Sequence, residues 1–125
     1  MLHTFDKTQI FDSSRTMEIY EVLEAFSSLS QETRLRVFKL LVEYGSEGLL
    51  PGKIANVLKI PDNTLSFHLS HMSKAKLVTS KKEGRSITYF ANIELVEELI
   101  EYLQQNCCAR QKTKSKSKAS KEQCC

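Results

Sequence analysis

One stretch constrains the fold of this 125-residue chain more than any other, residues 61–76, with the sequence PDNTLSFHLSHMSKAK. Pro61 ends whatever element precedes it, and the carboxylate of Asp62 suits the N-cap position of a helix. Apolar residues then recur at helical spacing along one narrow stripe: Leu65, Leu69, Met72 and Leu77. The stretch is therefore predicted to form an amphipathic helix capped by Asp62.

The opposite face of this helix is mostly polar, and almost no acidic side chain interrupts it. Its members are Asn63, Thr64, Ser66, Phe67, Ser70, His71 and Lys74. Short hydrogen-bonding side chains on a helix suit the base edges and phosphates of a DNA major groove, which admits an α-helix. An ordinary amphipathic helix with a solvated face would have the same pattern, so the neighbouring elements must decide between the two interpretations.

A second short helix is predicted just before this one, from the apolar residues Ile54, Ala55, Val57 and Leu58. Gly48–Gly52, with Pro51, is predicted to be the turn that precedes it. Lys59-Ile60-Pro61 makes a tight connection between the two helices. Two short helices joined by about three residues, the second with an open polar face, are typical of a helix-turn-helix.

The apolar period changes from helical to alternating after Leu77. Residues 78–83 and 86–90 are predicted to form two strands around the turn Glu83-Gly84-Arg85. This β-hairpin, or wing, directly follows the second helix. Its tip carries Lys81, Lys82 and Arg85, which would lie over phosphates or reach a minor groove. A solvated hairpin tip is the alternative interpretation.

Two outer helices are predicted to pack beside each other. The first begins at Met17 and has a wide apolar face, which suggests a subunit interface, with core packing alone as the alternative. That face consists of Ile19, Tyr20, Val22, Leu23, Phe26 and Leu29. The second outer helix, residues 93–105, is apolar on one side and acidic on the other, so it is expected to lie away from DNA and against a second copy of the chain.

A central helix is predicted between the first outer helix and the helix-turn-helix. Ser30 is its expected N-cap, and Glu32 lies favourably in its first turn. Gly45 is expected to end it. The fold class is therefore mainly α with a β-hairpin wing: a dimeric winged helix-turn-helix.

The predicted domain organisation is an N-terminal arm at 1–16, a DNA-binding and dimerisation domain at 17–108, and a disordered tail at 109–125. The net charge is only +3, but from Asn106 onward six basic residues face one acid. No run of about 18 apolar residues and no secretory leader occurs, so a cytoplasmic protein without a membrane partner is expected. No catalytic constellation occurs either, which argues against an enzyme.

All four cysteines lie in the last nineteen residues, as the adjacent pairs Cys107-Cys108 and Cys124-Cys125. A disulfide scaffold would distribute its cysteines through the fold. This placement instead favours an intracellular protein with reactive or metal-binding thiols.

Taken together, these elements resemble the ArsR family of bacterial metalloregulatory repressors over roughly residues 17–108. The supporting residues are LSQETRLRV at 29–37, Ile54-Ala55 through Leu65-Ser66-Phe67-His68-Leu69, Lys76-Leu77-Val78, and Gly84-Arg85 followed by Tyr89. The resemblance implies a homodimer that binds a partly palindromic operator in double-stranded DNA and releases it when an inducer binds. It also implies that Ser66 and His68 contact bases or phosphates, with Thr64 and Arg85 in support.

The candidate inducer-binding residues differ from those of two branches of that family. Residues 49–53 hold no Cys-x-Cys, which arsenic-sensing members carry in the first helix of the helix-turn-helix. The last helix holds no histidine, which zinc and nickel sensors need there. Asn106-Cys107-Cys108 instead resembles a branch that binds trivalent arsenic or antimony at the end of the last helix.

Trivalent arsenic and antimony are soft and thiophilic, so Cys107 and Cys108 are the predicted ligands, with arsenic or antimony as inducer and no other cofactor required. Inorganic forms usually take three thiols and singly substituted organic arsenicals take two. Cys124 or Cys125 would supply the third, since a coil of about 15 residues spans about 20 Å. Zinc, a redox switch and a thiol-rich metal carrier that does not bind DNA remain alternatives, as does an incidental role for these cysteines.

Overall fold

The described part of the computed structural model is residues 17–112. The predicted N-terminal arm and most of the predicted tail, including Cys124 and Cys125, lie outside the described residues. Within residues 17–112 the chain forms five α-helices and one β-hairpin: α1 (Ile19–Leu29), α2 (Glu32–Tyr44), α3 (Pro51–Leu58), α4 (Asp62–Lys74), β1 (Val78–Glu83), β2 (Ser86–Ala91) and α5 (Ile93–Gln104). The predicted mainly α fold with a wing after a helix-turn-helix is confirmed.

Two of the predicted N-caps are wrong by one residue. Gln31, not Ser30, caps α2, because its side-chain oxygen accepts the Arg34 N–H at 2.9 Å. Ser30 instead closes α1, where its own N–H reaches the Phe26 carbonyl at 3.0 Å. Pro61, not Asp62, is the N-cap of α4, since its backbone is extended (φ −61°, ψ 145°) and Asp62 is already helical. A carboxylate in the first turn still interacts favourably with the helix dipole.

The other helix boundaries lie close to the prediction. Gly45 ends α2 with φ 51°, a conformation that glycine adopts without steric cost. Pro51, expected within a turn, is instead the first residue of α3, where its missing N–H removes no intrahelical hydrogen bond. The last helix ends at Gln104, one residue before the predicted end. No helix within residues 17–112 is long and apolar enough to cross a membrane.

The core is made of apolar side chains contributed by all five helices and by the start of the wing. The helix α2 crosses its centre and buries Val37, Phe38 and Leu41. The predicted stripe of Leu65, Leu69, Met72 and Leu77 is fully buried against this centre. Because the stripe faces inward, the opposite face of α4 faces outward.

The wing is fixed at its base to two other parts of the fold. Its strands pair antiparallel, from Val78 opposite Ala91 to Glu83 opposite Ser86. Tyr89 and Leu49 exchange both backbone hydrogen bonds, at 2.8 and 3.0 Å, which joins β2 to the connection between α2 and α3. The Asn92 side chain donates to the Lys76 carbonyl at 2.9 Å, which joins the end of β2 to the end of α4.

Gly48 allows the close approach between the wing and the α2–α3 connection. Its backbone has φ 66° and ψ −177°, a region that is essentially restricted to glycine. A Cβ at this position would lie 2.6 Å from the Phe90 ring and 2.7 Å from Cγ2 of Thr88. Any side chain here would have to displace the side chains of Phe90 and Thr88 on β2.

The substitution Gly48→Ala is expected to destabilise the fold more than Gly84→Ala. Both glycines have positive φ, which costs an alanine about 1–2 kcal/mol in left-handed helical backbone, and Gly48 also has a ψ that only glycine readily combines with this φ. Only Gly48 also has a steric conflict, worth a further ~1–3 kcal/mol, because a Cβ at Gly84 meets nothing within 4 Å. Urea unfolding of the two variants measures the difference. Equal losses of unfolding free energy would show that the wing moves aside without cost.

Candidate nucleic-acid interface

The outward face of α4 carries most of the predicted DNA contacts. Six of the eight predicted residues on this helix are exposed: Asn63, Thr64, Ser66, Phe67, Ser70 and Lys74. Asp62 is the only acidic residue on the helix, and it lies in the first turn. The exposed face therefore offers hydrogen-bonding groups and one cation to a polyanion.

The wing places its three predicted basic residues in solvent. Lys81, Lys82 and Arg85 are all exposed. Lys81 has its Nζ 3.6 Å from a Glu83 carboxylate oxygen, but both side chains are about 70% exposed. An ion pair this exposed and this long contributes little to stability, so Lys81 can exchange Glu83 for a phosphate at small cost.

His68, in contrast, lies inside the fold. It is 9% exposed, and its Nδ1 lies 3.2 Å from a terminal nitrogen of Arg34 on α2. Arginine has donors and no acceptor, so Nδ1 of His68 accepts this hydrogen bond. The imidazole is therefore neutral, with its proton on Nε2. This placement suits a role in holding α4 better than a direct contact to DNA, and we do not retain His68 among the proposed DNA contacts.

His71 is half-buried and joins α4 to α1. Its Nδ1 lies 3.0 Å from the hydroxyl oxygen of Ser28, which is completely buried. Arg34 closes the cluster, because its Nε donates to the Ser28 carbonyl at 2.7 Å. We call Ser28, Arg34, His68 and His71 the polar clamp. It links the end of α1, the first turn of α2 and the inner side of α4.

Sequence reasoning did not identify the polar clamp, although two signals pointed toward it. His68 follows Leu65 by three residues and precedes Met72 by four, so its spacing places it beside the buried stripe. Arg34 lies in the stretch that carried the family resemblance. Ser28 gave no signal, since a serine within an amphipathic helix is ordinarily solvent-facing.

Cys107 and Cys108 follow α5 in a series of tight turns. Asn106 and Cys108 both have φ 61°, and the Ala109 N–H donates to the Asn106 carbonyl at 3.0 Å. The two sulfur atoms are 3.5 Å apart, well beyond the ~2.05 Å of a disulfide between them. Cys107 is exposed and Cys108 half-buried. Cys108 also lines a shallow surface depression together with Asn106, Ala109, Arg110 and Gln111.

The described residues hold no complete metal site. Between residues 17 and 112, no group of three or more histidine, cysteine, aspartate or glutamate side chains could hold a metal ion. Cys107 and Cys108 place two sulfur atoms 3.5 Å apart, and the predicted third donors, Cys124 and Cys125, lie outside the described residues.

The polar clamp predicts a pH dependence of stability. Burial, and then the charge of Arg34 and the neighbouring His71, lower the pKa of His68 below 6.5. As the pH falls through about 6.5, the unfolded chain binds a proton at this position and the folded chain does not, so the free energy of unfolding falls. Above that pH the residue is neutral in both states and contributes no penalty.

The variant His68→Gln separates this effect from general acid destabilisation. Glutamine keeps an acceptor for Arg34 but does not titrate. Between pH 7.5 and 5, the wild type should lose more unfolding free energy than the variant, measured by urea denaturation at each pH. Identical pH slopes would contradict the assignment of a neutral His68.

Comparison with known proteins extends these observations. A family model described as a helix-turn-helix domain matches residues 29–81, from the end of α1 to the wing. An uncharacterized HTH-type transcriptional regulator, MJ1325 of Methanocaldococcus jannaschii, is 40% identical over 85 residues. That match covers 67% of this chain and 93% of the relative.

Two solved structures show the same architecture. An ArsR-like transcriptional regulator from Rhodococcus sp. RHA1 superposes with a TM-score of 0.62 at 27% identity, covering 69% of this chain and 78% of the other. A homodimeric winged helix-turn-helix DNA-binding domain from Mycobacterium bovis superposes with a TM-score of 0.57 at 18% identity, covering 78% and 90%. This second likeness concerns the fold alone.

The described elements, the matched helix-turn-helix segment and these relatives agree with one another. The prediction that the chain is not an enzyme is confirmed, because its relatives are transcriptional regulators. The chain belongs to the family of HTH-type transcriptional regulators, with the winged helix-turn-helix structure of the ArsR-like members.

Proposed function

We propose that this regulator is a homodimeric repressor that binds a double-stranded DNA operator and releases it when trivalent arsenic or antimony binds Cys107 and Cys108. The observation that carries the DNA-binding part is the exposed face of α4, polar except for Phe67 and directly opposite a buried apolar stripe. A cytoplasmic location forms part of the proposal, since the operator lies there.

The DNA contacts divide into two kinds. Short polar side chains on α4, such as Asn63 and Ser66, are exposed and positioned on the helix that would enter the major groove. Lys74 and the wing residues Lys81, Lys82 and Arg85 supply positive charge for phosphates. Each neutralised phosphate releases counterions, so affinity should fall steeply with salt.

The homodimer is supported by apolar surface on the outer helices. Leu23 on α1 is 59% exposed and Leu103 on α5 is 64% exposed, with Ile19, Tyr20 and Ile100 similarly exposed on the same two helices. Large exposed apolar side chains on two helices are typical of an interaction site. The Mycobacterium bovis neighbour is described as homodimeric, and in the proposed dimer the two α4 helices would meet half-sites about one DNA turn apart.

The variant Leu23→Glu tests this interface, with Leu35→Glu as its matched control. Leu35 lies on α2, outside the two outer helices, and is 45% exposed. A carboxylate at position 23 would be buried without a partner in the dimer, which costs about 3–5 kcal/mol and weakens dimerisation at least a hundredfold. Sedimentation velocity should find monomer for the first variant and dimer for the control. A dimeric Leu23→Glu protein would place the interface elsewhere.

The inducer site rests on the geometry of two sulfur atoms. Taking the ~2.3 Å zinc–sulfur distance as a guide, two sulfurs bound to one centre at an angle of about 100° lie about 3.5 Å apart. Cys107 and Cys108 have this separation. Soft, thiophilic centres select such ligands over the oxygen donors elsewhere on the surface. Two sulfurs suit an organic arsenical, and inorganic arsenite would need the third donor expected from Cys124 or Cys125.

Release of DNA requires that the inducer prefer the state that does not bind the operator. A coupling of about 1–3 kcal/mol corresponds to a 5–150-fold loss of operator affinity. The adjacency of the two sulfurs also suits a redox switch, in which oxidation replaces arsenic as the input. This redox regulator, or a sensor of another soft metal, is the alternative function.

The experiment is fluorescence anisotropy of the reduced protein on its own upstream DNA, titrated first with salt and then with arsenite or methylarsenite. Release by either arsenical, lost in Cys107→Ser/Cys108→Ser, would support the proposal. Cys124→Ser/Cys125→Ser is the matched control. It should abolish release by arsenite only, if the tail supplies the third ligand, and leave release by methylarsenite intact.

Two other outcomes of this experiment would support the alternative functions. Salt-dependent DNA binding that ignores both arsenicals but responds to oxidant would establish the redox regulator. An absence of salt-dependent binding to any duplex would contradict the repressor and leave a metal carrier.

A further inference from the structure

One residue on the exposed face of α4 does not share the chemistry of its neighbours. Phe67 is 66% exposed. The residues three and four positions away on the same helix, which flank it on that face, are Asn63, Thr64, Ser70 and His71. Phe67 is thus a single aromatic ring surrounded, on its own helix, by hydrogen-bonding side chains.

The ring of Phe67 contacts one member of the polar clamp. Phe67 and His68 lie edge to face, with ring centroids 5.9 Å apart and planes inclined at 66°. This arrangement is favourable for aromatic pairs. His68 in turn is held by Arg34, which is anchored on the Ser28 carbonyl. A ring braced by a fixed neighbour loses less conformational entropy on binding than a freely rotating one.

The major groove offers one apolar group that differs between bases, the C5-methyl of thymine. A phenyl ring can contact this methyl group without leaving a polar atom unpaired. Against a purine, the same ring would cover N7 and remove its water without replacing the hydrogen bond, which is costly. An exposed phenylalanine on a helix that enters the major groove therefore favours thymine.

We propose that Phe67 is a specificity-determining residue that contacts a thymine methyl group in each half of the operator, with His68 and Arg34 as positioning residues that hold the ring. The proposal rests on the DNA-binding function given above. It adds a preference for thymine that comes from an apolar contact and not from the polar side chains of α4.

The test uses an upstream duplex that the protein binds in the salt-dependent anisotropy assay. Each thymine is replaced in turn by deoxyuridine, which removes only the methyl group. One position in each half-site should then bind about fourfold more weakly, and about fifteenfold more weakly when both are replaced, from ~0.8 kcal/mol per buried methyl group. Replacements elsewhere should change affinity little.

Four protein variants test whether the Phe67 ring causes the difference in affinity between thymine and deoxyuridine duplexes. With Phe67→Ala, the thymine and deoxyuridine duplexes should bind equally at the sensitive positions, whereas Phe67→Leu should keep part of the difference. Ser70→Ala, on the same exposed face, is the matched control and should keep all of it. His68→Gln should reduce the difference without abolishing DNA binding, because it removes the ring that braces Phe67.

Two results would overturn the inference while leaving the proposed function intact. In the first, no deoxyuridine replacement weakens binding although the salt dependence is normal. In the second, Phe67→Ala retains the full difference between the two duplexes. A failure to bind any duplex in a salt-dependent manner would instead contradict the repressor itself.

Discussion

One guanidinium group joins the helix that carries the candidate DNA-binding face to the two helices packed against it. Arg34 donates to the Ser28 carbonyl at 2.7 Å and to Nδ1 of His68 at 3.2 Å, and so joins α1, α2 and α4. Apolar burial decides which side of α4 faces inward, but it is not directional and would tolerate small rotations. Hydrogen bonds weaken steeply with angle, so they restrict that remaining freedom. Within residues 17–112, no buried side-chain nitrogen or oxygen lacks a partner.

Much of the fold could be predicted from the period of the apolar residues. The stripe from Leu65 to Met72 and the change to alternation at Val78 correctly indicated α4 and the wing, because these periods follow directly from helix and strand geometry. Leu77, predicted as the last member of the stripe, is buried but lies beyond the end of α4. The N-caps at Ser30 and Asp62 were wrong by one residue. The choice between adjacent residues depends on backbone angles at Pro61 and on the side-chain hydrogen bond that Gln31 accepts. Residue preferences for the N-cap position contain neither.

The candidate interface was predictable to the extent that exposure follows from helical spacing. The exposure of Asn63, Ser66 and Ser70 is in accord with the sequence pattern. The spacing of His68 places it beside the buried stripe, but its hydrogen bond to Arg34 could not be foreseen, because the two residues are 34 positions apart along the chain. Contacts between distant residues depend on how the helices pack. The same holds for Cys107 and Cys108: their adjacency was visible in the sequence, whereas their sulfur separation of 3.5 Å required coordinates.

The attachment of the wing at both sides of its base has a consequence for the shape of the DNA that can be bound. Leu49 and Tyr89 join β2 to the connection before α3, while Asn92 joins it to the end of α4. These bonds hold the base of the hairpin in place relative to α4. In the proposed DNA complex, the protein would therefore set the distance between the base pairs facing α4 and the backbone facing the hairpin. A target that departs from this distance must bend or twist to fit, so local DNA stiffness becomes part of what each half of the protein recognises.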